Sequence, residues 1–144
     1  MILPDVNVLI YAYYAPAPEH PVYANWLNDV RSTGQDLLLP AVVLTGFLRI
    51  VTNPRVIQNA PSAAEASSFV TALRSGRGAR EVNDEASIWR CFGKLVDGDD
   101  QIRGNLIPDA FLAAVAISQG ATLATRDRGF ARFPGLRWFD PAVG

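Results

Sequence analysis

The chain has 144 residues and a formal net charge of −1; 49% of its residues are apolar and 19% are charged. This length suits one globular domain over residues 1–144, with a sizeable core, and is too short for two. Cys91 and His20 are the only residues of their types, which excludes an intramolecular disulfide and argues against a His–Cys zinc site, and the net charge argues against a uniformly basic surface.

Short apolar runs alternate with longer helical patterns, which is typical of strands and helices interleaved around a parallel sheet. The predicted fold class is therefore α/β. In chain order the predicted elements are a strand at Met1–Pro4, helices at Val6–Tyr13 and His20–Arg31, a strand at Leu37–Leu39, helices at Pro40–Thr52 and Ser62–Leu73, a strand at Ala79–Val82, a helix from Asn83 or Asp84 to Val96, a loop at Asp97–Gly104, a helix at Pro108–Gln119, and strands at Ala121–Thr125 and Leu136–Phe139.

Local signals support several of these boundaries. Ser62, with Glu65 three residues later, forms the pattern of a capping box at a helix start. Pro108 suits the first helical position, where a missing N–H removes no helical hydrogen bond. Gly120 suits the end of the same helix.

The apolar segments are short. The longest, Leu37–Leu48, contains Pro40 and falls well below the roughly 20 residues that a membrane-spanning helix needs. No basic leader precedes an apolar run at the start of the chain. We therefore expect no membrane association and a cytoplasmic location.

Three acidic residues lie where predicted elements begin or end. Asp5 follows the first strand, Asp127 follows the strand that ends at Thr125, and Asp109 lies in the first turn of its helix. Ligands of open parallel sheets bind beyond the carboxyl ends of the strands, where Asp5 and Asp127 would both project. Clusters of carboxylates suit hard cations such as Mg²⁺ and Mn²⁺, which are used to cleave phosphodiesters.

Each acid also has a simpler explanation when it is taken alone. Asp5 could cap the helix that begins at Val6. Asp109 could favour the positive end of its helix dipole, and Asp127 could be an ordinary turn residue. The combination of the three favours a metal site.

Four segments carry a resemblance to a known family. They are Ile2–Ala12, Gly46–Val56, Gly104–Ala114 and Ala124–Leu136. In this order and spacing they resemble the corresponding segments of PIN-domain proteins, and closely those of the VapC toxins among them. The resemblance covers nearly the whole chain.

The resemblance implies a doubly wound, three-layer α/β/α sandwich with a mainly parallel sheet. It also implies an endoribonuclease that depends on Mg²⁺ or Mn²⁺, with Asp5, Asp109 and Asp127 as catalytic and metal-binding acids and with Asn7 and Thr125 as supporting residues. Such proteins are prokaryotic toxins that cleave RNA, are held inactive by a VapB-like antitoxin and are often homodimers.

The chain departs from the family pattern at two positions. Gly46 stands where many PIN proteins carry a Glu, and Gly129 stands where an Asp often appears. The sequence therefore leaves open whether the site holds one metal ion or two.

Arginine dominates the basic residues, since twelve of the thirteen are Arg and Lys94 is the exception. The planar guanidinium suits phosphate recognition. Arg49, Arg126 and Arg128 are the candidates for contacts with RNA phosphates, and a solvated surface position is the alternative for each.

Two other functions stay open from the sequence. A catalytically weak PIN domain that binds RNA or a partner protein as a regulatory module would also fit Gly46. A phosphatase of another doubly wound family would place a nucleophilic Asp after the first strand. Such phosphatases carry a second acid two residues later, where this chain has Asn7, which argues against that function.

Overall fold

The computed structural model describes residues 1–143, so Gly144, the last residue of the predicted domain, lies outside the described residues. Strands and helices alternate along this part of the chain as the sequence predicts. They are β1 (Ile2–Pro4), α1 (Val6–Tyr13), α2 (His20–Ser32), β2 (Leu37–Leu38), α3 (Ala41–Val51), α4 (Ala63–Arg74), β3 (Ala79–Arg80), α5 (Glu85–Gly98), α6 (Leu106–Gln119), β4 (Thr122–Ala124), a 3₁₀ helix (Arg128–Arg132) and β5 (Trp138–Phe139).

The five strands form one parallel sheet in the order β3–β2–β1–β4–β5. The chain first builds outward from β1 to β3, and then returns to add β4 and β5 on the other side of β1. In the register of the central pair, Pro4 lies opposite Ala124. The strand order therefore reverses between β1 and β4, and a crevice at the carboxyl ends of the strands is expected at such a switch point.

The helices cover both faces of this sheet. Right-handed crossovers place α1 to α4 on one face and, because the chain reverses direction, α5 and α6 on the other. The helix contacts agree: α1 packs against α2 and α3, α3 packs against α4, and α5 packs against α6. The predicted doubly wound α/β/α sandwich is confirmed.

The two central strands are buried from both sides. Leu3, Leu123 and Ala124 are fully shielded from solvent, which explains why β1 and β4 are continuous apolar runs. The helix α6 lies close to the sheet through small buried side chains, which are Ala110, Ala113, Ala114 and Ala116.

Several local predictions are confirmed. The first helix has the predicted bounds, and Ser62 and Glu65 form a reciprocal capping box at the start of α4. Gly120 ends α6 in the left-handed conformation, with φ of 70°. Asp84, the second of the two predicted caps, begins α5. No helix within residues 1–143 has the length and apolar character needed to cross a bilayer.

Some helix boundaries differ from the prediction. The helix α6 begins at Leu106, so Pro108 occupies the third helical position and not the first. An N–H there also lacks a partner within the helix, which is why the proline is tolerated. The helix α5 continues to Gly98, beyond the predicted end at Val96. The 3₁₀ helix at Arg128–Arg132 was not predicted.

The strands are shorter than predicted, and at the starts of β4 and β5 this is because neighbouring residues bond elsewhere. The N–H of Ala121 donates to the carbonyl of Ala116 and closes the end of α6, so β4 begins one residue later. The N–H of Leu136 donates to the carbonyl of Phe133 in a turn, so β5 begins at Trp138. The strands β2 and β3 end at Leu38 and Arg80, respectively.

Candidate active site

Asp5 is held at the end of β1 by four hydrogen bonds. Its Oδ1 accepts from the backbone N–H of Val6 at 2.7 Å. Its Oδ2 accepts from Thr125 Oγ1 at 2.6 Å and from Asn7 Nδ2 at 3.1 Å. Its own N–H donates to the carbonyl of Ala124 at 2.8 Å. One carboxylate oxygen therefore caps α1, as the simpler explanation holds, while the other faces the end of β4.

Thr125 joins the ends of the two central strands. Its hydroxyl donates to Asp5 and accepts from the backbone N–H of Asp127 at 3.0 Å. Asn7 adds a second connection, since its Oδ1 accepts from the backbone N–H of Arg126 at 3.3 Å. Both predicted supporting residues thus contact Asp5 directly, and both also contact the segment that carries Asp127.

Asp127 is exposed and begins the 3₁₀ helix. Its Oδ1 accepts from the backbone N–H of Gly129 at 2.8 Å, so the turn explanation is also correct for this residue. A Cβ at position 129 would lie 2.9 Å from that Oδ1. The glycine therefore permits this conformation of the Asp127 carboxylate, which an Asp at position 129 would disturb.

Asp109 lies half-buried in the first turn of α6. Burial raises the pKa of its carboxyl above the ordinary value, and the charges of Asp127 and Asp5 raise it further. Burial also raises the pKa of Asp5, against the lowering effect of its hydrogen bonds, and the charge of Asp127 adds to the increase. The fold therefore brings the three predicted acids close enough to repel one another.

The donor atoms of these acids fit a hard divalent cation. Within residues 1–143, no three acidic, His or Cys side chains already form a cage around a metal position. Mg²⁺ does not need such a cage, because it commonly keeps several waters and takes only one or two carboxylates from the protein. The arrangement suits an ion that is bound partly through its waters.

Gly46 lies on α3 beside the start of α1. A Cβ at this position would lie 3.0 Å from Val6 Cγ2, and Val6 directly follows Asp5. A Glu at position 46 would therefore require Val6 to move. The close approach of the two helices accounts for the glycine at the position where many PIN proteins carry a further acid.

The three predicted phosphate-binding arginines have different surroundings. The guanidinium of Arg126 is paired with Glu19, with 3.0 Å between Nη1 and Oε2. Arg128 is exposed beside Asp127, and Arg49 is exposed in the last turn of α3. Within residues 1–143, the guanidinium groups of Arg49 and Arg128 make no hydrogen bond or ion pair.

The Arg126–Glu19 pair was missed from the sequence. Its members are 107 residues apart in the chain, and nothing local to either residue indicates the other. Glu19 directly precedes α2. Only the packing of the start of α2 against the end of β4 brings the pair together.

Comparison with known proteins identifies the family. Residues 2–136 match the PIN domain family. The chain belongs to this family. The VapC ribonuclease Mb2897 of Mycobacterium bovis is 41% identical over 144 residues, covering 100% of this chain and 97% of that protein. Ribonuclease VapC31 of Mycobacterium tuberculosis is 33% identical over 143 residues, covering 99% of this chain and 100% of that protein.

A solved structure agrees with the fold. VapBC2 from Rickettsia felis, bound to a DNA fragment from its promoter, superposes with a TM-score of 0.69 at 22% identity, covering 97% of this PIN-domain chain and 98% of that one. The similarity at this identity shows the fold. Together with the relatives in the mycobacteria, it confirms the resemblance to VapC toxins that the sequence indicates.

We predict that Thr125→Val destabilises this PIN domain. The substitution keeps the volume but removes the hydroxyl that bonds Asp5 and the N–H of Asp127. We expect a loss of about 2 kcal/mol in the free energy of unfolding, measured by urea denaturation. Thr125→Ser keeps the hydroxyl and should lose only about 1 kcal/mol for the missing methyl group. A larger loss for the serine variant than for the valine variant would contradict this assignment.

We predict that Asp109→Asn stabilises the metal-free protein at neutral pH. A carboxyl whose pKa is raised by folding stabilises the folded state below its unfolded pKa, and this stability is lost as the pH rises through the folded pKa. The variant lacks this loss, so its stability relative to the wild type should increase as the pH rises from below 3.8 to neutral.

The measurement is urea denaturation in the presence of a chelator at both ends of this pH range. Asp29→Asn, at an exposed position of α2, is the matched control. A difference between Asp109→Asn and the wild type that does not change with pH would show that folding does not raise the pKa of Asp109.

Proposed function

We propose that this PIN-domain protein is a metal-dependent endoribonuclease and the toxin of a VapBC-type toxin–antitoxin pair. The observation that carries the proposal is the buried carboxylate of Asp5 at the switch point of the sheet, within electrostatic range of Asp109 and Asp127. The ribonuclease names of the mycobacterial relatives support the same class of activity.

Asp5, Asp109 and Asp127 would hold one Mg²⁺ or Mn²⁺ ion, directly or through its waters. When bound, such an ion polarises a phosphodiester and makes a bound water a better nucleophile. A single ion is proposed because Gly46 supplies no further carboxylate.

The protein contributes orientation and charge. The three side-chain and backbone donors to the Asp5 carboxylate fix its direction before any ligand arrives, so little reorganisation is needed on binding. The repulsion between Asp5, Asp109 and Asp127 is relieved by a cation, which makes the site selective for positive charge. The site thus favours the metal-bound state over the free one.

The RNA substrate would approach along exposed arginines. Arg128, next to Asp127, and Arg49 on α3 are proposed as phosphate contacts, since both guanidinium groups are exposed. Such contacts position the backbone and do not select a sequence. The VapC resemblance also supports two protein partners, which are a VapB-like antitoxin and a second copy of this chain in a homodimer. It supports a location in the cytoplasm of a prokaryotic cell as well.

The regulatory binding module is not favoured. Its support from the sequence was Gly46, which the packing against Val6 explains without any loss of the three acids. The ribonuclease name of the relative at 41% identity favours the enzyme.

We predict that Asp5→Asn abolishes cleavage. The amide keeps the size of the side chain but removes the charge that the metal requires. The purified protein, free of antitoxin, is incubated with a total bacterial RNA pool in the presence of Mg²⁺, Mn²⁺ or a chelator. The wild type should yield discrete fragments with either metal. Asp5→Asn, and the wild type with chelator, should yield none.

Asp29→Asn, which removes an exposed acid of α2, is the control and should cleave like the wild type. Full activity of Asp5→Asn in a preparation free of contaminating nuclease would exclude Asp5 from the metal site. A folded wild type that binds metal but cuts no RNA would instead support the binding module.

A further inference from the structure

Arg126 lies between two residues of the candidate site, Thr125 and Asp127, but its side chain points elsewhere. The guanidinium Nη1 lies 3.0 Å from Glu19 Oε2. Its Cζ lies 4.5 Å from the centroid of the Tyr11 ring and 5.8 Å from that of Tyr23. The charge of Arg126 is therefore satisfied by an ion pair and two aromatic rings.

This contact is more shielded from solvent than a fully exposed ion pair. The side chains of Arg126 and Glu19 are only 36% and 33% exposed, so solvent screens their attraction less than it screens a fully exposed pair. The Tyr23 ring is itself fixed, because its hydroxyl donates to Asp140 Oδ1 at 2.6 Å and the ring is buried. The guanidinium thus lies near a ring that is held in place by its own contacts.

The backbone of Arg126 is held as well. Its N–H donates to Asn7 Oδ1, and the other end of that amide donates to Asp5. Arg126 is therefore anchored at two points, to Asn7 through its backbone and to Glu19 through its side chain. The residues on either side of Arg126 have backbone bonds of their own, since the N–H of Thr125 donates to the carbonyl of Phe139 in β5 and the carbonyl of Asp127 accepts from the N–H of Phe130. The side chain of Arg126 adds to these a contact with α2.

We propose that Arg126 is a positioning residue of the metal site and not a phosphate contact. Its guanidinium, paired with Glu19 over Tyr11, fixes the segment that presents Asp127 to Asp5 and Asp109. The inference rests on the proposed metal site but does not require that the protein cleaves RNA.

The two possible roles of Arg126 predict different effects on metal binding when the charge of Glu19 is removed. If Arg126 positions Asp127 through Glu19, removal of the Glu19 charge weakens metal binding, although Glu19 touches no metal ligand. If Arg126 is a phosphate contact, the same change releases the guanidinium toward RNA and leaves metal binding as it was. Substitutions of residues that orient metal ligands typically cost 10- to 100-fold in metal affinity.

The experiment is titration calorimetry of the full chain with Mn²⁺ alone, without RNA. Arg126→Ala and Glu19→Gln should each weaken Mn²⁺ binding, with about a tenfold loss for Arg126→Ala. The double variant should be no weaker than Arg126→Ala, because both changes remove one interaction. Arg126→Lys keeps the charge and should fall between Arg126→Ala and the wild type. Arg55→Ala, at an exposed arginine between α3 and α4, is the control and should bind like the wild type.

Thermal unfolding establishes that each variant is folded at the temperature of the titration. If Arg126→Ala does not fold, Glu19→Gln and Arg126→Lys carry the test. Amide spectra of the metal-free protein give a second readout, since Glu19→Gln should shift the signals of Asp127 and Gly129.

Unchanged Mn²⁺ affinity in Glu19→Gln and Arg126→Lys, with wild-type binding that depends on Asp5, would overturn the positioning role alone. A loss of RNA affinity in Arg126→Ala at unchanged Mn²⁺ affinity would establish the phosphate contact in its place. A wild type without Asp5-dependent Mn²⁺ binding would overturn the proposed metal site itself, and this role with it.

Discussion

The hydrogen bond from the Thr125 hydroxyl to Asp5 joins the ends of β1 and β4, the two strands between which the strand order reverses. It is 2.6 Å long and buried, and it connects the end of β1 to the end of β4. The same hydroxyl accepts from the backbone N–H of Asp127, so one side chain holds both strand ends. The geometry of the site is therefore a consequence of how the two central strands pair.

The same arrangement explains why an acidic cluster is compatible with a stable fold. Asp5 is buried, but its carboxylate receives three donors, and each offsets part of the cost of removing the charge from water. Asp109 has less compensation, since burial and the other two acids all raise its pKa. The uncompensated charge is concentrated where a cation would bind. The repulsion that lowers the stability of the metal-free fold therefore also favours binding of the metal.

Much of the fold could be predicted because its signals are local. The apolar runs of β1 and β4, the cap at Asp5 and the capping box at Ser62 each depend on residues a few positions apart. The three acids could be proposed as a group because each lies at the end of an element. The 3₁₀ helix was not predicted, because its five residues are too few to show a helical period. The pairing of Arg126 with Glu19 could not be predicted either, because it arises only when distant elements pack.

The most direct test of the metal site is the anomalous scattering of Mn²⁺ in crystals of the wild-type protein soaked with that ion. We expect a single strong peak within about 2.5 Å of an oxygen of at least one of Asp5, Asp109 and Asp127, with the others bound directly or through water. The absence of a peak at the switch point, in crystals where saturating Mn²⁺ reaches the carboxyl ends of β1 and β4, would contradict the account.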